Sequence, residues 1–165
     1  MKGVLVAAAT SLVLALLGTP WFIKWLVKRQ YGQFIRDDGP TSHRTKRGTP
    51  TMGGTVIVGA TLAAYFLAHL VLGTWPSVSG LLVLFLMTGL ALVGFLDDYI
   101  KISRQRSLGL RTKQKLFGQG LVGVTFAVLA LQFENAGYRT PASTAISFVR
   151  DTRFDLAFAG PAIGL

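Results

Sequence analysis

The stretch VSGLLVLFLMTGLALVGFLDDYIK, residues 78–101, decides the fold of this chain. Its apolar part, Val78–Leu96, is long enough to cross a membrane as a helix, and it runs into two adjacent carboxylates, Asp97 and Asp98. Carboxylates are costly next to a bilayer interior, and a helix that ended here would add its unfavourable dipole. A lysine, an arginine or a divalent metal ion must then compensate the pair. The alternative is that the two residues merely mark where the helix meets water.

The composition indicates a membrane protein. Of the 165 residues, 51% are hydrophobic and only 15% are charged, which is less charge than a soluble domain of this size carries. The formal net charge of +10 could suggest a nucleic-acid partner. The basic residues lie between apolar runs, however, as they do in membrane loops, so we expect a lipid bilayer and no nucleic acid. The chain has no cysteine, so it has neither disulfides nor thiolate metal sites.

Four apolar runs predict an all-α, polytopic membrane domain over residues 1–165. The runs cover about residues 3–23, 52–72, 78–96 and 116–131, and each is close to the length that spans a bilayer. The fourth run is the shortest and can extend by a turn at either end. The first run is longer than the core of a signal peptide and lacks a small-residue cleavage pattern, so we expect it to be retained.

The charges of the loops predict the orientation of the chain. The loops 24–51 and 97–115 are rich in lysine and arginine, whereas the link 73–77 carries no charge and residues 132–155 are neutral overall. The positive-inside rule places both basic loops in the cytoplasm and the amino terminus outside. The acidic pair and the two basic loops then share the cytoplasmic face.

The segment after the fourth run gives weaker signals. Residues 138–158 mix β-branched, aromatic and polar residues, which is compatible with a short extracytoplasmic β-hairpin or with an ordered coil. Residues 156–165 are apolar and end without a basic flank, so they read as the start of a fifth span or as a short surface segment.

The first basic loop contains DDGPTSHRTKRGTPTMGG, residues 37–54. Glycine and proline predict defined turns there, and backbone amides, hydroxyls and basic side chains in such turns bind phosphate. Residues Gly53 and Gly54 open the second helix, whose amino-terminal amides add to anion binding. The candidate substrate-binding residues of this loop are Ser42, His43, Lys46 and Thr51.

A carboxylate pair with cations at a membrane surface suits phosphoryl transfer to a lipid. Adjacent residues project about 100° apart on a helix, so we do not expect the two carboxylates to be equal ligands of one metal ion unless the helix unwinds there. Asp98 precedes Lys101 by three residues and can pair with it if the helix continues. Asp97 has no helical cation at that spacing. We therefore hypothesise that Asp97 faces a lipid phosphate as base or orienting group, while Asp98 holds a metal ion.

Three stretches resemble a known family. They closely resemble phospho-N-acetylmuramoyl-pentapeptide transferases, a branch of the polyprenyl-phosphate N-acetylhexosamine-1-phosphate transferases. The three stretches are the first-loop segment 37–54, the segment GFLDDYIK (94–101) and the segment GLRTKQKLFGQ (109–119). The resemblance runs from the first span to the fourth in matching order. The stretch GTPTMGG and the DDY motif with its following lysine are specific to it. Family members are about twice as long, so the chain resembles the amino-terminal half.

The resemblance implies a Mg²⁺-dependent enzyme of the bacterial inner (plasma) membrane, with a cytoplasmic active site and a homodimeric full-length form. It implies transfer of phospho-N-acetylmuramoyl-pentapeptide from its UDP carrier to undecaprenyl phosphate, giving lipid I and UMP in peptidoglycan synthesis. Asp97 and Asp98 match the family's acidic pair, implicated in metal or phosphate-acceptor handling, and the lysines that match active-site lysines are Lys46, Lys101 and Lys115.

Two alternatives to this function stay open. One is a related transferase that uses UDP-N-acetylglucosamine, although relatives of that kind have a different first loop. The other is a non-catalytic truncated membrane protein. Residues 1–165 alone are expected to be inactive, because the family's third aspartate, uridine pocket and histidine-rich loop lie beyond Leu165.

Overall fold

Four long α-helices make up the described part of the chain, which in this computed structural model covers residues 2–29, 31, 51–105 and 108–133. The helices are α1 (Lys2–Lys28), α2 (Gly54–Leu72), α3 (Val78–Ser103) and α4 (Thr112–Gln132). All four are long and apolar enough to cross a membrane. The predicted all-α class and four spans are confirmed, and no strand occurs within these residues. The predicted β-hairpin and the start of a fifth span lie outside the described residues.

Two helices differ in length from the sequence-based prediction. Helix α1 continues through Pro20 as far as Lys28, although proline removes one helical hydrogen bond. Helix α3 does not end at the acidic pair but continues to Ser103. At 1.5 Å per residue, the seven helical residues after Leu96 add roughly 10 Å beyond the apolar run. The helix extends because Lys101, one turn further on, pairs with both carboxylates.

Helices α1 and α2 pack antiparallel along most of α2. Small residues allow the close approach: Gly3 lies against Leu72 at one end of the pair, and Gly18 lies against Val56 at the other. The Ser11 and Thr61 hydroxyls meet between them, with 3.4 Å between their oxygens.

A tight link, residues 73–77, turns the chain from α2 into α3. Gly73 takes a left-handed conformation with φ +61°, and its amide and that of Thr74 bond back to carbonyls in the last turn of α2. The Ser77 hydroxyl accepts a hydrogen bond from the Gly80 amide and caps α3. This short link makes α2 and α3 antiparallel neighbours.

Helices α3 and α4 form a second antiparallel pair. Gly89 faces Val122, and Gly118 faces Val93, so each helix offers a glycine to a valine of the other. This packing brings the first turn of α4 to the last turns of α3, where the acidic pair lies.

Candidate functional site

The Asp97 carboxylate is the centre of a charged cluster. The whole residue is only 7% exposed, although α3 is open on much of its surface. Three donors surround the carboxylate: Oδ2 lies 2.6 Å from the Lys101 ammonium, and Oδ1 lies 3.0 Å from the Lys115 ammonium. The backbone amide of Leu110 donates a third contact to Oδ1 at 2.7 Å. The buried carboxylate is therefore compensated by two cations and an amide, as a buried charge requires.

Asp98 has fewer partners and is more accessible. Its Oδ1 lies 3.1 Å from the Lys101 ammonium, and its side chain keeps 32% exposure against 10% for Asp97. The predicted pairing of Asp98 with Lys101 is confirmed. Asp97 has no cation three residues away, but the inference that this leaves it without a helical cation is wrong, because Lys101 reaches it from four residues away on the same helix. Spacings of three and four both bring side chains together on a helix, so one lysine serves both carboxylates.

The segment Leu108–Arg111, here named the strap, closes over Asp97 between α3 and α4. Gly109 and Leu110 lie on the carboxylate, and the Arg111 amide bonds to the Gln114 side chain at 2.9 Å, which fixes the start of α4. Lys115 follows one turn into α4 and points back to Asp97. Residues 106 and 107, between the end of α3 and the strap, lie outside the described residues.

A largely apolar groove leads from the cluster along α2 and α3. It has a volume of about 590 Å³. Both carboxylates line one end of it, and the rest is apolar or small. Its lining includes Met52, Val58, Leu62, Leu92, Phe95, Asp97 and Asp98. Such a groove suits an elongated apolar chain whose polar end meets the charged cluster.

The end of the first loop meets this groove. Met52 lines it, is 8% exposed and has a φ of 70°, a left-handed conformation that side chains other than glycine rarely adopt. The Thr51 hydroxyl is buried and finds no hydrogen-bond partner among the described residues. Of the four candidate substrate-binding residues of the first loop, Thr51 is thus the one that the structure describes. Ser42, His43 and Lys46 lie outside the described residues.

The structure thus brings together four of the predicted residues, Asp97, Asp98, Lys101 and Lys115. Sequence reasoning missed the Leu110 amide, Gly109 and the groove. A glycine in a short link between two helices can mark a close backbone approach, and Gly109, three residues before the start of α4, carried that signal. Among the described residues, no group of three or more histidine, cysteine, aspartate or glutamate side chains could hold a metal ion alone.

Sequence comparison finds close similarity to one kind of protein. Residues 46–58 match the phospho-N-acetylmuramoyl-pentapeptide-transferase signature 1. A protein of Beutenbergia cavernae with the name phospho-N-acetylmuramoyl-pentapeptide-transferase is 64% identical over 165 residues, which are 100% of this chain and 46% of that protein. A Kineococcus radiotolerans protein of the same name is 68% identical over 162 residues, 97% of this chain and 45% of its own length.

A third protein of that name, from Arthrobacter sp., is 60% identical over 171 residues, which span 99% of this chain and 46% of the relative. The chain therefore spans about half the length of these curated relatives. No solved structure matches it.

Proposed function

We propose, from the premise that this chain belongs to the phospho-N-acetylmuramoyl-pentapeptide-transferase family, that it carries part of the active site of such an enzyme. The reaction moves phospho-N-acetylmuramoyl-pentapeptide from UDP to undecaprenyl phosphate. An oxygen of the lipid phosphate forms a bond to the sugar-linked phosphorus, the diphosphate P–O bond breaks, and UMP leaves. The products are lipid I and UMP.

The observation that supports this proposal most is the charged cluster at the end of the apolar groove. The groove would offer a membrane-embedded path for a prenyl chain. The carboxylates Asp97 and Asp98 line its end, and Lys101 and Lys115, which pair with Asp97, would meet the phosphate there. Cations placed around phosphate oxygens stabilise the charge that develops in phosphoryl transfer. Lys46, with Ser42, His43 and Thr51, is proposed to bind the nucleotide-sugar phosphates from the first loop.

The two carboxylates have different surroundings, which supports different roles. Asp97 is held by three donors, so we assign it the orienting role: it holds Lys101 and Lys115 in place for the phosphates. A carboxylate with its oxygens so engaged is a poor proton acceptor, which disfavours the base role considered for it. Asp98 is more exposed and shares one lysine, so it is the carboxylate left to meet a ligand.

The donor atoms present fit Mg²⁺ as a partial site. Mg²⁺ takes hard oxygen ligands and is often held by one or two carboxylates plus substrate phosphates. Asp98 would supply the carboxylate ligand. Asp97 is the second candidate, but its oxygens already contact three protein donors. Mg²⁺ bound there would neutralise the diphosphate and the charge on the leaving UMP. We also place the full-length protein in the bacterial plasma membrane, as a dimer, with this cluster facing the cytoplasm.

The Mg²⁺ dependence of the rate tests this division of labour. In a full-length protein that contains these 165 residues, Asp98→Asn should raise the Mg²⁺ concentration at half-maximal rate. Asp97→Asn should lower the rate by about 10²–10³-fold with little change in that concentration. The rate is measured as UMP release at several Mg²⁺ concentrations.

The donor substrate provides the control. The unaltered protein should release UMP with UDP-N-acetylmuramoyl-pentapeptide and undecaprenyl phosphate but not with UDP-N-acetylglucosamine. Activity with the second donor alone would support the related transferase, and no activity with either would contradict the proposed function. A raised Mg²⁺ requirement in Asp97→Asn only would reverse the two roles.

A further inference from the structure

The strap approaches Asp97 more closely than any side chain would permit. A Cβ atom added to Gly109 would lie 2.7 Å from the Asp97 carbonyl oxygen and 2.7 Å from its Cγ, and nearer still to Oδ1. Real Cβ atoms do not come so close to backbone atoms, so the strap would have to move. The Gly109 φ is not left-handed, and the need for glycine here is therefore one of space.

The close approach has a direct consequence for the carboxylate. It lets the Leu110 amide donate to Oδ1 at 2.7 Å, a charge-assisted hydrogen bond that selects one orientation of the side chain. In that orientation Oδ2 faces Lys101 and Oδ1 faces Lys115. The strap therefore sets which lysine meets which oxygen.

The strap and Lys115 belong to one continuous piece of backbone. The Arg111 carbonyl accepts hydrogen bonds from the Gln114 amide at 2.9 Å and the Lys115 amide at 3.1 Å, and the Arg111 amide bonds to the Gln114 side chain. A shift of the strap away from Asp97 would thus carry the first turn of α4, and with it Lys115, in the same direction.

We propose that Gly109 is a positioning residue: its missing side chain lets the strap fix the Asp97 carboxylate and hold Lys115 against it. The contact is a property of the fold, and its effect on rate rests on the proposed function. Gly109 touches no substrate in this proposal and acts through the ion pair of Asp97 with Lys115.

The first test measures the ion pair without any substrate. In the full-length protein, Gly109→Ala should make the Lys115 amine react several-fold faster with an amine-acetylating reagent, relative to exposed Lys113, as read by mass spectrometry. Asp97→Asn should give the same increase, because it removes the same partner. Gly120→Ala is the matched control, since Gly120 lies on α4 with open space around it. Unchanged Lys115 reactivity in Gly109→Ala would overturn the proposal.

The second test is a double-mutant cycle on the rate. Gly109→Ala should lower kcat by about 10²-fold, as expected for a displaced catalytic group, with a smaller change in KM. In an Asp97→Asn background the same substitution should have almost no further effect, because coupled residues are not additive. Fully additive losses would overturn the proposal, since a general loss of structure does not depend on Asp97.

The two proposals can fail separately. If the unaltered protein has no transferase activity while Lys115 reactivity responds as expected, the proposed function is wrong and the positioning role of Gly109 is supported. If the protein is active and Gly109→Ala behaves like Gly120→Ala, the strap proposal is wrong. Should Gly109→Ala not fold, Leu110→Pro removes the amide donor instead and is expected to give the same change in Lys115 reactivity.

Discussion

At the scale of single residues, Lys101 is the group on which both carboxylates depend. Its ammonium lies 2.6 Å from Asp97 and 3.1 Å from Asp98, so it neutralises two adjacent like charges at once. Adjacent anions repel each other most strongly where water is scarce. The acidic pair can remain on a continuing helix because this lysine lies one turn away.

Lys101→Met is expected to lower the transferase rate by about 10²-fold or more, as for loss of one positioned electrostatic group. Methionine keeps the apolar stem and removes only the charge. The rate of UMP release in the full-length protein measures the effect. Lys113→Met is the control, because Lys113 is exposed and makes no ion pair with Asp97 or Asp98. Equal rates for the two variants would contradict the role of Lys101.

At the scale of elements, the pairing of α3 with α4 depends on glycines. Gly89 receives Val122 so closely that an added Cβ would lie 2.7 Å from one methyl group and 3.1 Å from the other. Where lipid replaces water, helix association relies on such close packing. The same pairing delivers Lys115 and the strap to Asp97.

Gly89→Ala is expected to destabilise the protein by about 1–3 kcal/mol through overpacking, although alanine is the better helix former. The melting temperature of the full-length protein in detergent should fall. Gly123→Ala, on α4 with open space around its Cβ position, should leave the melting temperature unchanged or higher. A Gly89→Ala variant as stable as Gly123→Ala would show that the two helices tolerate a wider separation.

At the scale of the whole molecule, the described part consists of two antiparallel helix pairs, α1 with α2 and α3 with α4. The link 73–77 joins them at one end, and the groove lies between α2 and α3 at the other end, beside Asp97 and Asp98. Trp75 in the link is 94% exposed, as suits an aromatic side chain at a membrane interface. The link and the charged cluster therefore lie at opposite ends of α3.

This arrangement makes the orientation testable with single cysteines, since these 165 residues contain none. In intact cells expressing the full-length protein without other reactive cysteines, Thr74→Cys should react with a membrane-impermeant maleimide. Ser103→Cys, at the far end of α3, should react only after the membrane is opened. The expectation follows from the lysines and arginines of the loops 24–51 and 97–115. Reversed labelling would place the charged cluster outside and contradict the proposed function.

The sequence alone predicted the number and approximate positions of the helices. This was feasible because the length of an apolar run and the charges beside it are local properties, and a bilayer imposes one length on every span. The limits of α3 were less predictable, because the end of an apolar run is not the end of a helix when a later lysine compensates the charges. The pairing of Asp98 with Lys101 was also accessible, since helical spacing places those residues on one face.

Only the tertiary structure decided how Asp97 is held. Lys115 and the Leu110 amide come from beyond the end of α3, and their distance from Asp97 depends on how α4 packs on α3. That packing rests on side-chain contacts between residues far apart in sequence, such as Gly89 with Val122. The groove likewise exists only once α2 and α3 are side by side. The spacing of residues along the chain predicts contacts within one helix. Contacts between helices depend on how the surfaces of two helices fit together, and one stretch of sequence does not determine that fit.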